Sequence, residues 1–473
     1  MLQKLAGTAL FFSFGFASQS VQAAPTVPDG AGMSWPWALP FAGILLTIAT
    51  GPLLFPKFWH RHYGKIAALW SALTLIPIIL IYSLPIALDA FLRAMLTEYL
   101  GFIVLLFALF TVAGGIVVTG DLRGTPTTNV LILGLGTTMA SVVGTTGAAM
   151  ILIRPLIRAN AARRDKMHTF VFFIFLVANI GGALTPLGDP PLFIGFLHGV
   201  DFLWTTRHLF SATLFVAGLV LAIFFVLDSW FYHRGGTPIL SQTPVPKLRL
   251  HIRGSINLFL IGAIVAAVLV SGAWKPGISF AILGVEIELQ NLVRDGLLLL
   301  VALASLALTP DEHREANGFS WEPIKEVVKL FAGIFICIIP VLAMLRAGAN
   351  GPLAPLLALM SDGSGRPQPL AYFWMTGILS AFLDNAPTYL VFFNMAGGNP
   401  SELMGPLAST LTAISMGAVY LGAMTYIGNA PNFMIYAITT ERGIPMPSFF
   451  GFIIWSTLFL LPVFALTAWI FLA

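Results

Sequence analysis

Charged residues, cysteines and nucleotide-binding motifs are scarce or missing in this sequence, and each deficit removes a class of protein. Asp, Glu, Lys and Arg together make up only 9% of the 473 residues, whereas soluble domains carry about 25%. The single cysteine, Cys337, excludes a disulfide within the chain. No glycine-rich loop followed by Lys-Ser/Thr is present, so an ATP-driven pump is not indicated. Zinc-ligand spacings and hydrolase nucleophile motifs are also missing, so we expect neither an enzyme nor a cofactor.

What the sequence has in abundance is apolar segments. Hydrophobic residues make up 58% of the chain, and many runs reach the ~20 residues that a helix needs to cross a bilayer. The formal net charge of +4 comes from Lys and Arg in predicted loops and gives no reason to expect a nucleic-acid partner. The composition therefore predicts an all-α polytopic membrane protein whose surroundings are the lipid bilayer.

The N-terminus has the pattern of a secretory signal. Lys4 precedes an apolar stretch at 5–16, and small residues at 21–24 offer a cleavage site. We therefore expect residues 1–24 to be a signal peptide. The alternative is an uncleaved signal anchor that remains as an extra helix. Both interpretations place the polar tail that follows on the outer side of the membrane.

Hydropathy divides the chain into membrane spans. Ten spans are predicted, at about 37–56, 66–88, 98–119, 168–199, 209–231, 255–273, 296–310, 328–345, 405–440 and 449–472. Two further apolar segments, 127–153 and 370–394, are interrupted by polar residues. They either cross the membrane or enter it and return as re-entrant hairpins.

Loop charge favours re-entrant hairpins, because cytoplasmic loops concentrate Lys and Arg. With two hairpins, 17 Lys and Arg residues lie inside and six outside, whereas full crossings give 10 inside and 13 outside. The prediction is an inverted-repeat transporter with two re-entrant hairpins and two broken helices. The first repeat covers 37–231 with its hairpin at 127–153, and a cytoplasmic linker covers 232–254. The second repeat covers 255–473 with its hairpin at 370–394.

The polar interruptions come in matched pairs. The sequences VGTTG at 143–147 and TPLGDPP at 185–191 lie in the first half, and LDNAPT at 383–388 and IGNAPN at 427–432 in the second. Thr145 is 44 positions from Asp189, and Asp384 is 45 from Asn429. The sequence GDPPLF at 188–193 aligns with GNAPNF at 428–433 without a gap. Many secondary transporters build a substrate site from duplicated elements that interrupt helices at membrane depth.

Short polar side chains at these breaks are suited to a small cation. Freed backbone carbonyls can coordinate a cation, and neutral side-chain oxygens suited to Na⁺ come from Thr145, Thr146, Asn385, Thr388 and Asn429. The alternative is that Gly and Thr only allow close helix packing. Four such motifs at matched spacing favour a binding site.

Asp384 and Asp189 are the most informative single residues. A carboxylate at the bilayer centre costs roughly 2.5–3.5 kcal/mol on insertion scales, so it is rarely kept without a task. Asp384 has no Lys or Arg nearby in the sequence. Burial favours its neutral form and a bound cation its ionised form, so H⁺ and Na⁺ would compete there. The alternative role for Asp189 is an N-cap before Pro190 and Pro191. Asn179, on the same broken helix, is a further candidate to face the cavity.

These motifs resemble those of a known family. Residues 181–191, GGALTPLGDPP, resemble the "GGxxTPxGD" segment of NhaD-type sodium/proton antiporters, and 383–388 resembles their "DN-x-P" hairpin. These antiporters belong to the ion transporter superfamily, which also holds citrate and dicarboxylate transporters. The resemblance extends over roughly 100–440 through motif order and repeat layout.

The resemblance implies a carrier of the bacterial inner membrane, and the N-terminal signal pattern places the mature N-terminus outside. The resemblance also implies a hairpin-bearing transport domain, a scaffold domain that often forms a homodimer, and elevator-like alternating access. The family's binding residues carry over to Thr145, Thr146, Asp189, Asp384, Asn385, Thr388 and Asn429.

One departure from the superfamily pattern bears on the substrate. Dicarboxylate carriers typically have Ser-Asn-Thr at both hairpin tips, whereas this chain has Gly-Thr-Thr from Gly144 and Asp-Asn-Ala from Asp384. A fixed carboxylate repels a di- or tricarboxylate and favours a cation. We therefore expect Na⁺/H⁺ antiport with Asp384, Asn385 and Thr145 as Na⁺ ligands. The alternative is a Na⁺- or H⁺-coupled citrate or dicarboxylate transporter on the same fold.

Overall fold

A computed structural model describes residues 28–120, 122–234 and 251–472. The predicted signal peptide at 1–24 lies outside the described residues, as do residues 235–250 of the predicted linker. The first half contains nine helices: α1 (Leu39–Leu54), α2 (Pro56–Ile81), α3 (Leu84–Arg93), α4 (Leu100–Ala113), α5 (Pro126–Val143), α6 (Thr145–Ala159), α7 (Met167–Leu176), α8 (Pro190–Leu197) and α9 (Trp204–Arg234).

The second half is also helical. Its helices are α10 (Ile256–Ala273), α11 (Leu289–Leu308), α12 (Asp311–Ala316), α13 (Glu322–Cys337), α14 (Ile339–Arg346), α15 (Ala354–Leu359), α16 (Pro369–Phe382), α17 (Asn385–Met395), α18 (Pro400–Met404), α19 (Ala408–Leu421), α20 (Ala430–Glu441), α21 (Phe449–Phe459) and α22 (Leu461–Leu472). Four short strands form two antiparallel ribbons, β1 (Val117–Thr119) with β2 (His251–Arg253), and β3 (Ser279–Ile282) with β4 (Val285–Glu288).

Length and composition confirm the prediction of an all-α polytopic membrane protein. Within the described residues, nine helices are long and apolar enough to cross a bilayer, and the bent pair α21–α22 makes a tenth. Some boundaries differ from prediction. Helix α2 begins at Pro56 rather than near 66, because the helix continues beyond its apolar part through basic residues such as Lys57 and Arg61.

Two pairs of helices fold back on themselves where the sequence predicts re-entrant segments. Helices α5 and α6 are joined at Gly144, whose φ of +80° is a conformation that glycine adopts readily. The far ends of these helices meet, since Asn129 Nδ2 donates to Asn160 Oδ1 at 3.0 Å. Helices α16 and α17 form a second hairpin, with the rings of Tyr372 and Phe392 6.1 Å apart near its base. Each hairpin therefore carries one of the predicted polar motifs at its tip.

The two hairpins open toward opposite ends of one long helix. Helix α9 has 31 residues, which makes it roughly 46 Å long at about 1.5 Å per residue. At the base of the first hairpin, Asn129 donates to the Asp228 carboxylate near the end of α9 at 2.9 Å. At the start of α9, Trp204 Nε1 donates to the Met404 carbonyl, just beyond the second hairpin, at 3.3 Å. The hairpins are therefore inverted relative to α9, while the membrane side of each stays a prediction.

The helices form two groups that meet along the hairpins. We call α5–α9 and α16–α22 the hairpin group, because the two hairpins and the broken helices pack mainly on one another. The outer group consists of α1–α4, α10, α11, α13 and α14. Contacts between the groups run mainly from α4 to α6 and α8, and from α14 to α17. The hairpins thus lie between the remaining helices of the hairpin group and the outer group.

A buried ionic cluster ties the base of the first hairpin to α7 and α9. Arg163 Nη1 lies 2.6 Å from Asp228 Oδ1, and His168 Nε2 lies 2.7 Å from the same oxygen. Asn129 donates to the other carboxylate oxygen, and all four side chains are buried. A buried ion pair is costly to break, because the remaining partner becomes an uncompensated charge.

We expect Asp228→Ala to destabilise the protein strongly. Loss of the carboxylate leaves Arg163 buried without its partner, a change that costs about 3–5 kcal/mol. The measurement is thermal unfolding of the purified protein in detergent. Asp89→Ala is the matched control, because its partner Arg93 is 43% exposed and such surface pairs contribute about 0–1 kcal/mol. Equal melting temperatures for the two variants would contradict this assignment.

Candidate functional site

The first helix break lies between α7 and α8. After α7 the chain forms a 3-10 turn at Ile180–Leu184 and leaves helical geometry until Asp189. Position 188 requires glycine, because a Cβ there would lie 2.2 Å from the carbonyl oxygen of Gly182. Pro190 opens α8, where the missing N–H of proline is tolerated. The local sequence therefore stops the helix and restarts it at Asp189.

The second break, between α19 and α20, repeats this geometry. Thr185 and Thr425 each donate Oγ1 to a hairpin carbonyl 44 positions earlier, at Ser141 and Ala381 respectively. A Cβ at Gly428 would lie 2.7 Å from a backbone oxygen of its own break, as at the first break. These bonds satisfy carbonyls near the C-terminal ends of the hairpin helices α5 and α16, where the last carbonyls of a helix have no partner within it.

The repeated geometry fixes the register between the halves. Asp189 and Asn429 are 240 positions apart, and so are Thr145 and Asn385, the first residues of α6 and α17. Thr145 therefore corresponds to Asn385. Asp384 corresponds to Gly144, so the second tip carries a carboxylate where the first has none.

The Asp189 carboxylate is where the two hairpin tips and the two helix breaks meet. Its Oδ1 accepts hydrogen bonds from Thr145 Oγ1 and Asn429 Nδ2, both at 3.0 Å. Its Oδ2 accepts from Asn385 Nδ2 at 2.5 Å. Asp189 is 1% exposed and its side chain makes no N-cap hydrogen bond. The structure thus brings three of the predicted site residues, Thr145, Asn385 and Asn429, together around a fourth, Asp189.

Neutral donors, and not basic residues, surround Asp189. In the described part of the chain, no Lys, Arg or His forms an ion pair with Asp189 or Asp384. Four helices begin around the carboxylate, α6, α8, α17 and α20. Their positive dipole ends stabilise negative charge there. The site is therefore suited to hold one fixed anion.

Asp384 occupies a different environment at the second tip. Its side chain is half-buried and accepts from the backbone N–H of Ala386 at 3.1 Å, so it caps α17. It lies close enough to Asp189 for an electrostatic interaction. Thr388 Oγ1 donates to the Asp384 carbonyl at 2.9 Å, so its oxygen is engaged within the tip. Thr146 is half-buried and lines a cavity beside the first tip. Asp189 stands at the N-cap position of α8 without capping it, whereas Asp384 caps α17.

One buried oxygen at the site lacks a partner. Asn385 Oδ1 has no hydrogen-bond donor among the residues that the structure describes, although the side chain is fully buried. A buried polar atom without a partner costs free energy, unless a ligand satisfies it. Asn385 Nδ2 is bonded to Asp189, so this oxygen is next to the carboxylate.

A cavity of about 80 Å³ lies between the first hairpin tip and the outer group. Asp189, Thr145 and Thr146 contribute its polar wall. The opposite wall is apolar and comes from α4 and α13, with Phe102, Leu105, Leu109, Ile324 and Val327. Asn179, which the sequence offered as a cavity residue, does not line it.

Asn179 and Asn432 instead lie behind the site, within the hairpin group. Asn179 Nδ2 donates to Asn432 Oδ1 at 2.7 Å, and both side chains are fully buried. Sequence analysis did not single out Asn432. The available signal was its position three residues after Asn429, which places both on one face of α20.

Comparison with known proteins identifies the family. Residues 30–472 match the model of a family described as "Putative citrate transport". The chain belongs to this family. Two relatives, each named an uncharacterized transporter, come from Mycobacterium bovis and Mycobacterium tuberculosis. Each is 26% identical to this chain over 339 residues, which cover 70% of the chain and 73% of the relative.

The family and the names of these relatives indicate a transporter and not an enzyme. This agrees with the multi-pass architecture and with the breaks that meet at Asp189. The citrate-transport family description does not define which ion is coupled, because a cation exchanger and a coupled carboxylate carrier are both compatible with it.

We expect Gly188→Ala to remove transport by this member of the citrate-transport family. The added Cβ would clash with backbone at Gly182 and displace the neighbouring Asp189. Gly218→Ala is the matched control in the hairpin group, because a Cβ there meets nothing within 4 Å. Both variants are scored by transport rate per amount of folded protein in proteoliposomes. Full activity of Gly188→Ala would mean that the break tolerates a side chain and that its geometry is not required.

Proposed function

We propose that this protein exchanges Na⁺ for H⁺ across the membrane by alternating access. The observation that carries the proposal is the Asp189 carboxylate, which is buried, held by three neutral donors and free of any basic partner in the described chain. An isolated buried charge is expensive. A proton or a bound cation each removes that cost.

Mutual exclusion at one carboxylate is the basis of exchange. A proton on Asp189 occupies the oxygen that a cation would use, and a bound cation favours the ionised form. Each solute therefore leaves before the other binds. Movement of the loaded carboxylate between the two sides then exchanges one solute for the other.

The side-chain oxygens around the carboxylate supply a ligand set for Na⁺. Asp189 would provide the charge. Asn385 Oδ1, which has no hydrogen-bond partner within the described ranges, would provide a neutral oxygen. Thr145 Oγ1 lies 3.0 Å from the carboxylate and would provide another. Oxygen ligands are those that hard cations prefer.

The two carboxylates take different roles in this proposal. Sequence analysis gave the exchanged proton to Asp384. The nearly complete burial of Asp189 at the meeting point of both hairpin tips and both breaks, where an uncompensated charge is costly, favours Asp189 for it. Asp384 is half-buried and interacts electrostatically with Asp189. It would attract the cation to the tip and stabilise it after binding, while Thr388 and Asn429 hold the surrounding backbone and side chains in place.

The alternative is a Na⁺- or H⁺-coupled carrier of citrate or a dicarboxylate. The family description favours it, and so do the four helix N-termini, which suit an anion. In this chain, however, the anion at their meeting point is the fixed carboxylate of Asp189. A polycarboxylate would have to approach both this group and Asp384.

The salt dependence of proton movement separates the two functions. We expect NaCl or LiCl to dissipate a pre-formed pH gradient in proteoliposomes that contain no organic anion. Empty liposomes are the control for leakage, and KCl tests cation choice. If salts have no effect and only sodium citrate produces uptake, the protein is a carboxylate carrier and the antiport proposal is wrong.

Substitution of each carboxylate tests the division of roles. We expect Asp189→Asn to abolish exchange, because an amide neither binds a proton nor neutralises a cation. Asp384→Asn should raise the apparent KM for Na⁺ about tenfold or abolish exchange. Asp89→Asn, on the exposed ion pair with Arg93, is the control and should exchange normally. Normal exchange by Asp189→Asn with folded protein in the membrane would rule out this carboxylate as the shared ligand.

A further inference from the structure

Three asparagine side chains form a chain of hydrogen bonds that ends at Asp189. Asn432 bonds to Asn179, Asn179 bonds to Asn429, and Asn429 bonds to the carboxylate. All three asparagines are buried. The chain runs from the second broken helix to the first, back to the second, and ends on the first.

The orientation of the first amide is fixed by backbone carbonyls. Asn432 Nδ2 donates to the carbonyl oxygens of Gly422 at 2.9 Å and Thr425 at 3.0 Å. An amide nitrogen has two hydrogens, and both are used by these bonds. The other amide atom, Oδ1, is therefore left to accept, and it accepts from Asn179.

This orientation determines the next amide. Asn179 Nδ2 donates to Asn432 Oδ1 at 2.7 Å and to the Ile174 carbonyl at 2.8 Å, so both of its hydrogens are also used. Its Oδ1 consequently faces Asn429 and accepts from Nδ2 of that residue at 3.4 Å. A reversed Asn179 would bring two amide nitrogens together at Asn429 and two acceptor oxygens together at Asn432.

Asn429 is held with its nitrogen toward the site. Its Nδ2 lies within hydrogen-bond distance of three acceptors, Asn179 Oδ1, the Ala178 carbonyl and Asp189 Oδ1. If Asn429 Oδ1 were in that place instead, it would face three other acceptors, namely the Asp189 carboxylate, the Ala178 carbonyl and Asn179 Oδ1. The Ala178 carbonyl at 3.0 Å and Asn179 Oδ1 at 3.4 Å, both behind the site, therefore favour the orientation in which Asn429 presents an N–H donor to Asp189.

We infer that Asn179 and Asn432 are positioning residues for the transport site, acting through Asn429. They hold its amide as a hydrogen-bond donor to Asp189 and so keep the carboxylate oxygens oriented for a cation. The inference rests on the proposed function, in which Asp189 binds the transported cation. Neither residue touches the cation.

A double-mutant cycle tests the inference. Asn179→Leu removes the middle amide, and we expect the apparent KM for Na⁺ to rise about tenfold, the effect of losing one hydrogen bond to a charged group. The maximal rate per folded protein should change less than twofold. Asn429→Ala should raise the KM similarly. Because Asn179 acts through Asn429, the double variant should match Asn429→Ala alone.

Asn257→Leu is the matched control for loss of a buried asparagine. Asn257 is fully buried in α10 and bonds to Thr309, Ser305 and the Gly254 carbonyl, but it lies in the outer group. We expect its KM for Na⁺ to stay at the wild-type value. If Asn179→Leu does not accumulate as folded protein, Asn432→Leu completes the same cycle with Asn429→Ala.

The outcomes distinguish failure of the inference from failure of the proposed function. An unchanged KM for Na⁺ in Asn179→Leu would overturn the positioning role. So would a double variant in which the KM increases of Asn179→Leu and Asn429→Ala add. A wild-type protein that ignores Na⁺ without citrate would overturn the proposed function instead. The same cycle is then measured on the KM for citrate. A double variant whose KM matches that of Asn429→Ala supports the positioning role, and additive increases in the KM overturn it.

Discussion

The hydrogen bonds that one buried carboxylate accepts join the two hairpins and the two broken helices at the centre of this protein. Asp189 accepts from the first hairpin tip, the second hairpin tip and the second broken helix. The most distant of these partners, Asn429, is 240 positions away. Because a buried carboxylate without donors is costly, the hairpins and broken helices cannot shift independently without exposing or orphaning it. The hairpin group is therefore organised around the site and not merely packed near it.

The backbone groups freed at the two breaks also need hydrogen-bond partners, and this need is a second, independent constraint at the same depth. Each break frees carbonyls and amides where no water is available, and such groups must find partners in the protein. Thr185 and Thr425 each reach back to a hairpin carbonyl, while Ser141 and Ser380 donate to carbonyls of the broken helices at 2.5 and 2.6 Å. The halves solve the same problem with the same residue types, so the geometry persists although the site charges differ.

The sequence predicted the parts of the site better than their contacts. The duplicated motifs identified Thr145, Asp189, Asn385 and Asn429, and these meet at one carboxylate. Motif spacing did not assign the roles of the carboxylates, because capping of α17 by Asp384 depends on where that helix begins. Asn432 was missed because the hydrogen bond that gives it a role joins it to Asn179, which lies 253 positions away in the sequence.

One half has a carboxylate where the other half has an amide, and this difference bears on which solute the site can bind. Asp189 and Asn429 are equivalent positions with nearly the same shape, yet only one is charged, and Asp384 stands where the first tip has Gly144. The repeats thus keep their packing while placing one carboxylate in each half. A site with two fixed negative charges and no basic partner among the described residues needs positive charge to become neutral. On the proposed mechanism, protons and Na⁺ supply that charge in turn, so the asymmetry between the repeats makes cation exchange possible on a symmetric scaffold.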